Sequence, residues 1–343
     1  MTSLPVDALN AETPLSAACA VLTPPGAFFV RNHFAPPAVA AASHRLRLDG
    51  LVRRPLTLGL EDLRSLPEAA AEVTLECAGN GRALLDPPPP GTPWRLGAFG
   101  TALWEGTPLA PLLRRAGPLA SARWVVFTGA DEGEVEPGRV EPFARALPLA
   151  DALGPGPLLA WRMNGAPLAV EHGHPLRLVA PGRYGVDSVK WLVRIELVAG
   201  PFGGFFQARR YRYEGQDGTP DGTPVTRMRP RALIGSPAAA ERVRRGAVVD
   251  IAGIAWSGFG AIAGVDVSAD GGATWLSAAL EPQPSPAAAV GWRLRWVPDA
   301  AGSRRIVVRA RDAAGNVQPL AGVWNRLGYG NNQAHQVDVE VSE

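Results

Sequence analysis

Lysine is nearly absent. Of 34 basic residues in a chain of 343, only Lys190 is a lysine and the rest are arginine. The arginine excess has a plain reading, a GC-rich coding sequence, which leaves the solitary lysine as a position to follow. Cysteine is also scarce, with two residues, Cys19 and Cys77. Two thiols alone make neither a disulfide framework nor a zinc site, and the lack of a CxxCH string excludes an attached c-type haem. No apolar run approaches the ~18 residues of a membrane-crossing helix. Met1–Thr13 has no basic n-region, apolar h-region or twin arginine. No export signal is visible there, so a cytoplasmic location is expected. Excess charge of one sign is missing too. The net charge is +2, with both signs mixed along the chain, which is no footprint for nucleic acid or an anionic membrane.

Turn formers are abundant instead. With 39 Gly and 34 Pro, about a fifth of the chain approaches the composition of disordered segments. Apolar residues at 46% and ten tryptophans oppose that reading, because so much apolar surface requires a core. The length predicts two domains. Up to about residue 215, helix-like pieces (Leu60–Leu66, Leu109–Ala116) alternate with short strand-like runs (Val73–Leu75, Trp124–Thr128, Leu176–Val179, Trp191–Val198). That mixture predicts an α+β domain. Glu214–Pro224 has no apolar residue and reads as the start of a linker. Beyond about 231 the pattern is all-β. Val248–Ala255, Gly264–Ser268, Trp292–Trp296, Arg304–Arg311 and Gln336–Val341 alternate apolar and polar residues, and Asp270-Gly271-Gly272 signals a hairpin. An immunoglobulin-like sandwich is expected, with domains over 1–225 and 226–343.

Three segments carry chemistry. In Leu75-Glu76-Cys77-Ala78-Gly79-Asn80-Gly81-Arg82 a strand runs into a tight turn. Cys77 is thereby presented beside backbone N–H groups and Arg82, which favour a thiolate. The plain alternative is a small buried hydrophobe, and for Cys19, in an apolar stretch, that alternative is preferred. Phe28–Phe34 (FFVRNHF) alternates aromatic and cationic residues. Arg31 and His33 share a strand face able to bind an oxyanion, or are simply solvated. The third segment runs through Glu171-His172-Gly173-His174-Pro175-Leu176-Arg177 to Ser188-Val189-Lys190. Its basic residues lie near turns and either converge on an anion or decorate the surface. His172 and His174 share a strand face but have no third ligand nearby, which disfavours zinc.

Together these segments resemble the sulfite oxidase family of molybdenum-cofactor enzymes, a stand-alone bacterial type without a haem domain. The resemblance runs in order through NAETPL, FFVRNH, LECAGNGR, TPWRLGAFGTALWEGTPL, AWRMNGAPL with EHGHPLR, PGRYGVDSVKWL and FFQARRYRY. It continues through IAGIAWSGFGAI, VDVSADGGATW and VWNRLGYGNNQAH. It implies a molybdopterin-binding domain followed by a β-sandwich that makes a homodimer. It also implies that Cys77 is the one protein ligand of molybdenum, with a pyranopterin dithiolene supplying the other sulfurs. Phe29, Val30, Arg31, Asn32, His33, Asp131, His172, Arg177, Ser188, Val189 and Lys190 match positions that hold the pterin and its phosphate. Arg31, Arg82, Trp94 and Tyr211 match the substrate pocket. The activity implied is oxidation of sulfite to sulfate by oxo transfer, with electrons passing to a separate cytochrome, another carrier or oxygen. Guanidinium forks suit such an anion.

One departure bears on the substrate. The family's sulfite-oxidising members carry an arginine three residues after the tryptophan of the late WN motif. Here Leu327 holds that place and Arg326 comes one residue early, so a local shift is needed to bring Arg326 to the pocket. The alternatives are a relative acting on another oxyanion or an S-oxide, including nitrate reduction, or a non-catalytic relative of the same fold.

Overall fold

The computed structural model describes residues 10–20 and 22–343. The N-terminal part of the expected first domain, residues 1–9, lies outside them. So does Val21, in the stretch around Cys19.

The first part of the chain builds two five-stranded sheets. In one, Ala69–Glu76 pairs with Phe99–Pro108, which pairs in turn with Leu158–Met163. Both Ala166–Pro167 and Arg177–Val179 border that last strand. The other sheet orders Leu56–Leu58, Leu46–Gly50, Leu192–Val198, Trp124–Glu136 and Arg139–Pro148. Helices are few and short among the described residues. Leu109–Ala116 buries Leu109, Leu112 and Leu113 along one face and stops at Gly117. There φ is 71°, a left-handed cap that glycine adopts without strain. The expected mixture is therefore mostly strand. Sequence periodicity missed Phe99–Pro108, which is paired on both sides, and the edge strand Arg139–Pro148, which is carried by a long ladder with Trp124–Glu136.

The later part forms a four-stranded sheet (Arg231–Ser236, Val249–Trp256, Val290–Trp296, Ala279–Leu280) and a five-stranded one. The latter contains Arg242–Arg244, His335–Ser342, Gly302–Asp312, Ile262–Ser268 and Leu276–Ser277. The two enclose a core of Ile251, Val265, Trp292, Ile306, Val308, Val337 and their neighbours. The expected hairpin joins Ile262–Ser268 to Leu276–Ser277. The expected linker is partly ordered, since Thr223–Pro224 pairs with Arg212–Tyr213. The two parts also share buried surface. Trp256 stacks on Phe99 with ring centroids 4.4 Å apart, and Leu327 and Tyr329 join the core of the first part.

Candidate active site

Cys77 ends the strand Ala69–Glu76, its N–H donating to the Ala98 carbonyl at 2.8 Å. The chain then turns. The Asn80 N–H donates back to the Cys77 carbonyl at 2.9 Å, and Gly81 takes a φ of 81°. Gly79 is required for a different reason: a Cβ there would sit 2.6 Å from Nη2 of Arg82. The turn is folded tightly around the guanidinium that follows it.

The thiol lies between two cavities and lines both. The larger encloses about 680 Å³, its opening to solvent included, and is lined by Phe29, Arg31, Asn32, His33, Asp131, His172, Arg177, Ser188 and Lys190, among others. The smaller, about 420 Å³, is lined by Arg31, Arg82, Gly91, Thr92, Trp94, Arg210, Tyr211 and Tyr329 besides Cys77. Arg31 borders both.

In the larger cavity Arg177 donates to the carbonyls of His172 (3.0 Å) and Ser188 (3.1 Å) and lies over the Trp104 ring. Lys190 donates to the Glu171 carbonyl at 2.8 Å and to the Asn32 side chain. Among the described residues, neither cation forms a salt bridge with a carboxylate. Burial therefore dominates: it lowers Arg177 to about 9 and pushes Lys190 well below its usual range. His172 falls to about 4, by burial first and then by the nearby Arg177 and Lys190 charges. Asp131 sits where the ladder of Trp124–Glu136 slips register, a bulge that re-aims side chains. Burial raises it to about 7 against the pull of Lys190, and its Oδ1 has no hydrogen-bond partner among the described residues.

These features fit the group that the resemblance implies. Buried cations held by carbonyls need an anion such as a phosphate to balance them. An unpartnered buried carboxylate oxygen needs an N–H donor, which a pterin ring provides. Burial also raises Cys77, outweighing Arg31, the Gly79 N–H and Arg82. The protein by itself thus keeps the thiol protonated, and binding a metal cation is what removes the proton. Among the described residues no group of three or more His, Cys, Asp or Glu side chains could hold a metal. One thiolate is available to a metal that brings its other ligands with it.

In the smaller pocket Arg82 is 7% exposed. Its Nε donates to the Leu327 carbonyl and its Nη1 to the Thr92 carbonyl, both at 2.8 Å. The Tyr211 hydroxyl is 2.8 Å from Nε2 of His33, and its ring stacks on Tyr329 at 4.9 Å. Burial raises the Tyr211 phenol, so it keeps its proton. Trp94 is fully buried, and its Nε1 has no acceptor among the described residues.

Most of the expected residues thus converge, with corrections. Arg326 is away from the pocket, 61% exposed and ion-paired with Glu214 on the surface. The local shift did not occur because Leu327 is the buried neighbour (5% exposed) and turns Arg326 outward. Val30 and Val189 do not line the cofactor cavity although their neighbours on both sides do, and Val189 packs into the main core. His172 lies in a 3-10 turn, Val170–His172, so it shares no strand face with His174. Sequence reasoning missed Arg210 and Tyr329. The run Ala208-Arg209-Arg210-Tyr211 contained the signal for the first, but nothing in it says which of the two arginines faces the pocket.

Residues 33–206 match the family model for the oxidoreductase molybdopterin binding domain. Residues 223–342 match that for the Mo-co oxidoreductase dimerisation domain. The chain is 40% identical to sulfite oxidase of Gallus gallus, covering 93% of this chain and 73% of that protein. It is 37% identical to mitochondrial sulfite oxidase of Homo sapiens, where it spans 94% of this chain but 62% of the relative. Among solved structures it is similar to the sulfane dehydrogenase SoxCD of Paracoccus pantotrophus. That match has a TM-score of 0.86 and 30% identity, and covers 99% of this chain and 86% of the other. A thiol set between a cation-lined cavity and an arginine pocket, on a chain matched nearly end to end, leads to one assignment: this chain belongs to the sulfite oxidase family of molybdopterin-binding oxidoreductases.

Proposed function

We propose that the chain oxidises sulfite to sulfate and passes the electrons to an external acceptor. The observation that carries this reading is the place of Cys77, whose thiol lines both the cofactor cavity and the arginine pocket. A metal held by that sulfur would lie between the two cavities it lines. Arg177, Lys190, His172, Ser188 and Asn32 would hold the cofactor's phosphate, and Asp131 would accept from its ring. When bound, the cofactor supplies two-electron oxo transfer.

The protein's own groups do the rest. Arg31, Arg82 and Arg210 attract the dianion and orient it. Arg82 is aimed by its two carbonyl bonds, and its Nη2 is left for an anion. Trp94 offers its unpartnered N–H. Tyr211 keeps a proton at its hydroxyl, within reach of His33, and can donate it to an oxygen of the substrate.

The domains proposed are 1–225 for cofactor and substrate and 226–343 for dimerisation. The four- and five-stranded sheets of the second support an immunoglobulin-like sandwich and a homodimer. A cytoplasmic location belongs to the same proposal and is tested by fractionating cells that make the chain.

Purified protein is expected to contain about one Mo per chain and to reduce ferricyanide or cytochrome c when sulfite is added. Cys77→Ser should lose turnover while keeping its circular dichroism. Full metal content without sulfite turnover would refute the substrate and leave the family intact. One observation favours a second reading, action on another oxyanion or an S-oxide: the family's third arginine position is Leu327, with Arg326 turned to the surface. Assaying such compounds in both redox directions separates the two.

A further inference from the structure

The turn that carries Cys77 is gripped from the second domain. Glu76, the residue before Cys77, is 1% exposed, and its Oε1 lies 2.9 Å from Nε of Arg231 (2% exposed). Arg231 opens the first strand of the second domain's four-stranded sheet. The same Oε1 accepts from Asn80 Nδ2 at 3.0 Å, while Oε2 accepts from Trp256 Nε1 at 3.0 Å. Trp256 is Arg231's direct partner on the neighbouring strand. Nη2 of Arg231 also donates to the carbonyls of Asn80 (3.3 Å) and Asn331. Two more second-domain donors complete the grip. The Gly330 N–H bonds the Ala78 carbonyl and Asn331 Nδ2 bonds the Gly81 carbonyl, each at 2.7 Å.

We propose that Glu76 and Arg231 are positioning residues for the Cys77 thiolate, so that the second domain, besides dimerising, sets the geometry of the metal ligand. The proposal rests on the reading of Cys77 as that ligand. A buried ion pair is a poor source of net stability, because desolvating two charges offsets their attraction. Its use here is geometric. Glu76 ties its own turn through Asn80, and Arg231 ties the same carboxylate and the Asn80 carbonyl to the sandwich. The turn's carbonyls at Ala78, Asn80 and Gly81 all accept donors from the second domain, so rotation at the strand end would break several bonds at once. Ligand orientation of this kind is set outside the coordinating atoms themselves.

The test uses the full chain with Cys19→Ser, so that Cys77 is the only thiol. Alkylation by iodoacetamide is followed in cofactor-free protein, and sulfite turnover per Mo is measured in protein made with molybdate. Arg231→Met strands the Glu76 charge. Adding Glu76→Gln removes that charge; its single amide oxygen keeps one acceptor, for Asn80, and leaves the Trp256 Nε1 without one. The double variant should regain most of the melting temperature lost in Arg231→Met, yet Cys77 should alkylate at least tenfold faster and sulfite turnover per Mo fall at least threefold. Parent-like alkylation and parent-like turnover per Mo in that variant would overturn the proposal, reducing the pair to charge balance in a core. Arg231→Lys serves if the double variant does not fold. It keeps the charge and loses the second prong, so at least threefold faster alkylation is expected, and an unchanged rate overturns the proposal. Failure of the ligand reading looks different: Cys77→Ser would then keep parent-like sulfite turnover whatever Arg231 does.

Discussion

At the scale of single residues, the pocket draws its charge from separate loops. Position 327 is leucine, and Arg210, an exposed residue 117 positions earlier in the chain, lines the pocket. For an anionic substrate the sum of nearby charge matters more than which loop delivers it. Arg210→Leu is expected to raise KM for sulfite about tenfold, one charge-assisted contact, with kcat changed less than threefold. Adding Leu327→Arg should bring KM back toward the parent value. Steady-state kinetics at fixed ionic strength read both, and an unmoved KM would remove Arg210 from the pocket.

His172 gives a second residue-level test, in cofactor-free protein. Its folded pKa of about 4 lies below the ordinary 6.5, so the unfolded chain binds the proton more readily. The stability contributed by keeping His172 neutral is complete above pH 6.5 and lost as pH falls from there toward 4. Between pH 7.5 and 5 this amounts to about 2 kcal/mol. His172→Gln should shrink the difference in urea-unfolding stability between these pH values by that amount.

Among elements, the turn after Ala69–Glu76 joins sequence to chemistry most directly. Its tightness was legible in Gly79-Asn80-Gly81, but its purpose was not. Gly81 supplies a left-handed residue, whereas Gly79 clears space for Arg82. In Gly79→Ala the new methyl group would lie 2.6 Å from Nη2, too close for Arg82 to stay. Sulfite KM should rise about tenfold while Mo content holds. A variant with parent-like KM would show that Arg82 can yield without leaving its carbonyl partners. The bulge that aims Asp131 was not legible at all. A register slip arises from pairing with Arg139–Pro148, which local sequence does not encode.

For the molecule as a whole, the two domains are joined by a buried and specific contact. Trp256 covers Phe99 and bonds the buried Glu76 carboxylate. Trp256→Phe keeps an aromatic ring but leaves Oε2 of Glu76 without its donor. It should cost about 1–3 kcal/mol, measured by chemical denaturation. A loss well under 1 kcal/mol would mean that another donor or water replaces the indole. Such a contact also explains why Tyr329 and Asn331, from the second domain's sequence, stand beside the arginine pocket and the cysteine turn.

The sequence alone determined what short-range chemistry and ordered motifs carry. The alternating strands of the sandwich, the helix stopped by Gly117, the cysteine turn and the family were all readable from residues 10–343, because side-chain period and turn chemistry are local. Lys190 was marked by its rarity before any geometry was known. Only the tertiary structure decided where each neighbour points: Leu327 into the core and Arg326 out of it, Arg210 rather than Arg209 to the pocket, Ser188 and Lys190 to the cofactor cavity but Val189 to the core. A one-residue change of facing costs nothing in composition, yet it reverses which groups are buried. Packing and long-range pairing settle it, and Glu76 meets Arg231 only once two domains close on one another.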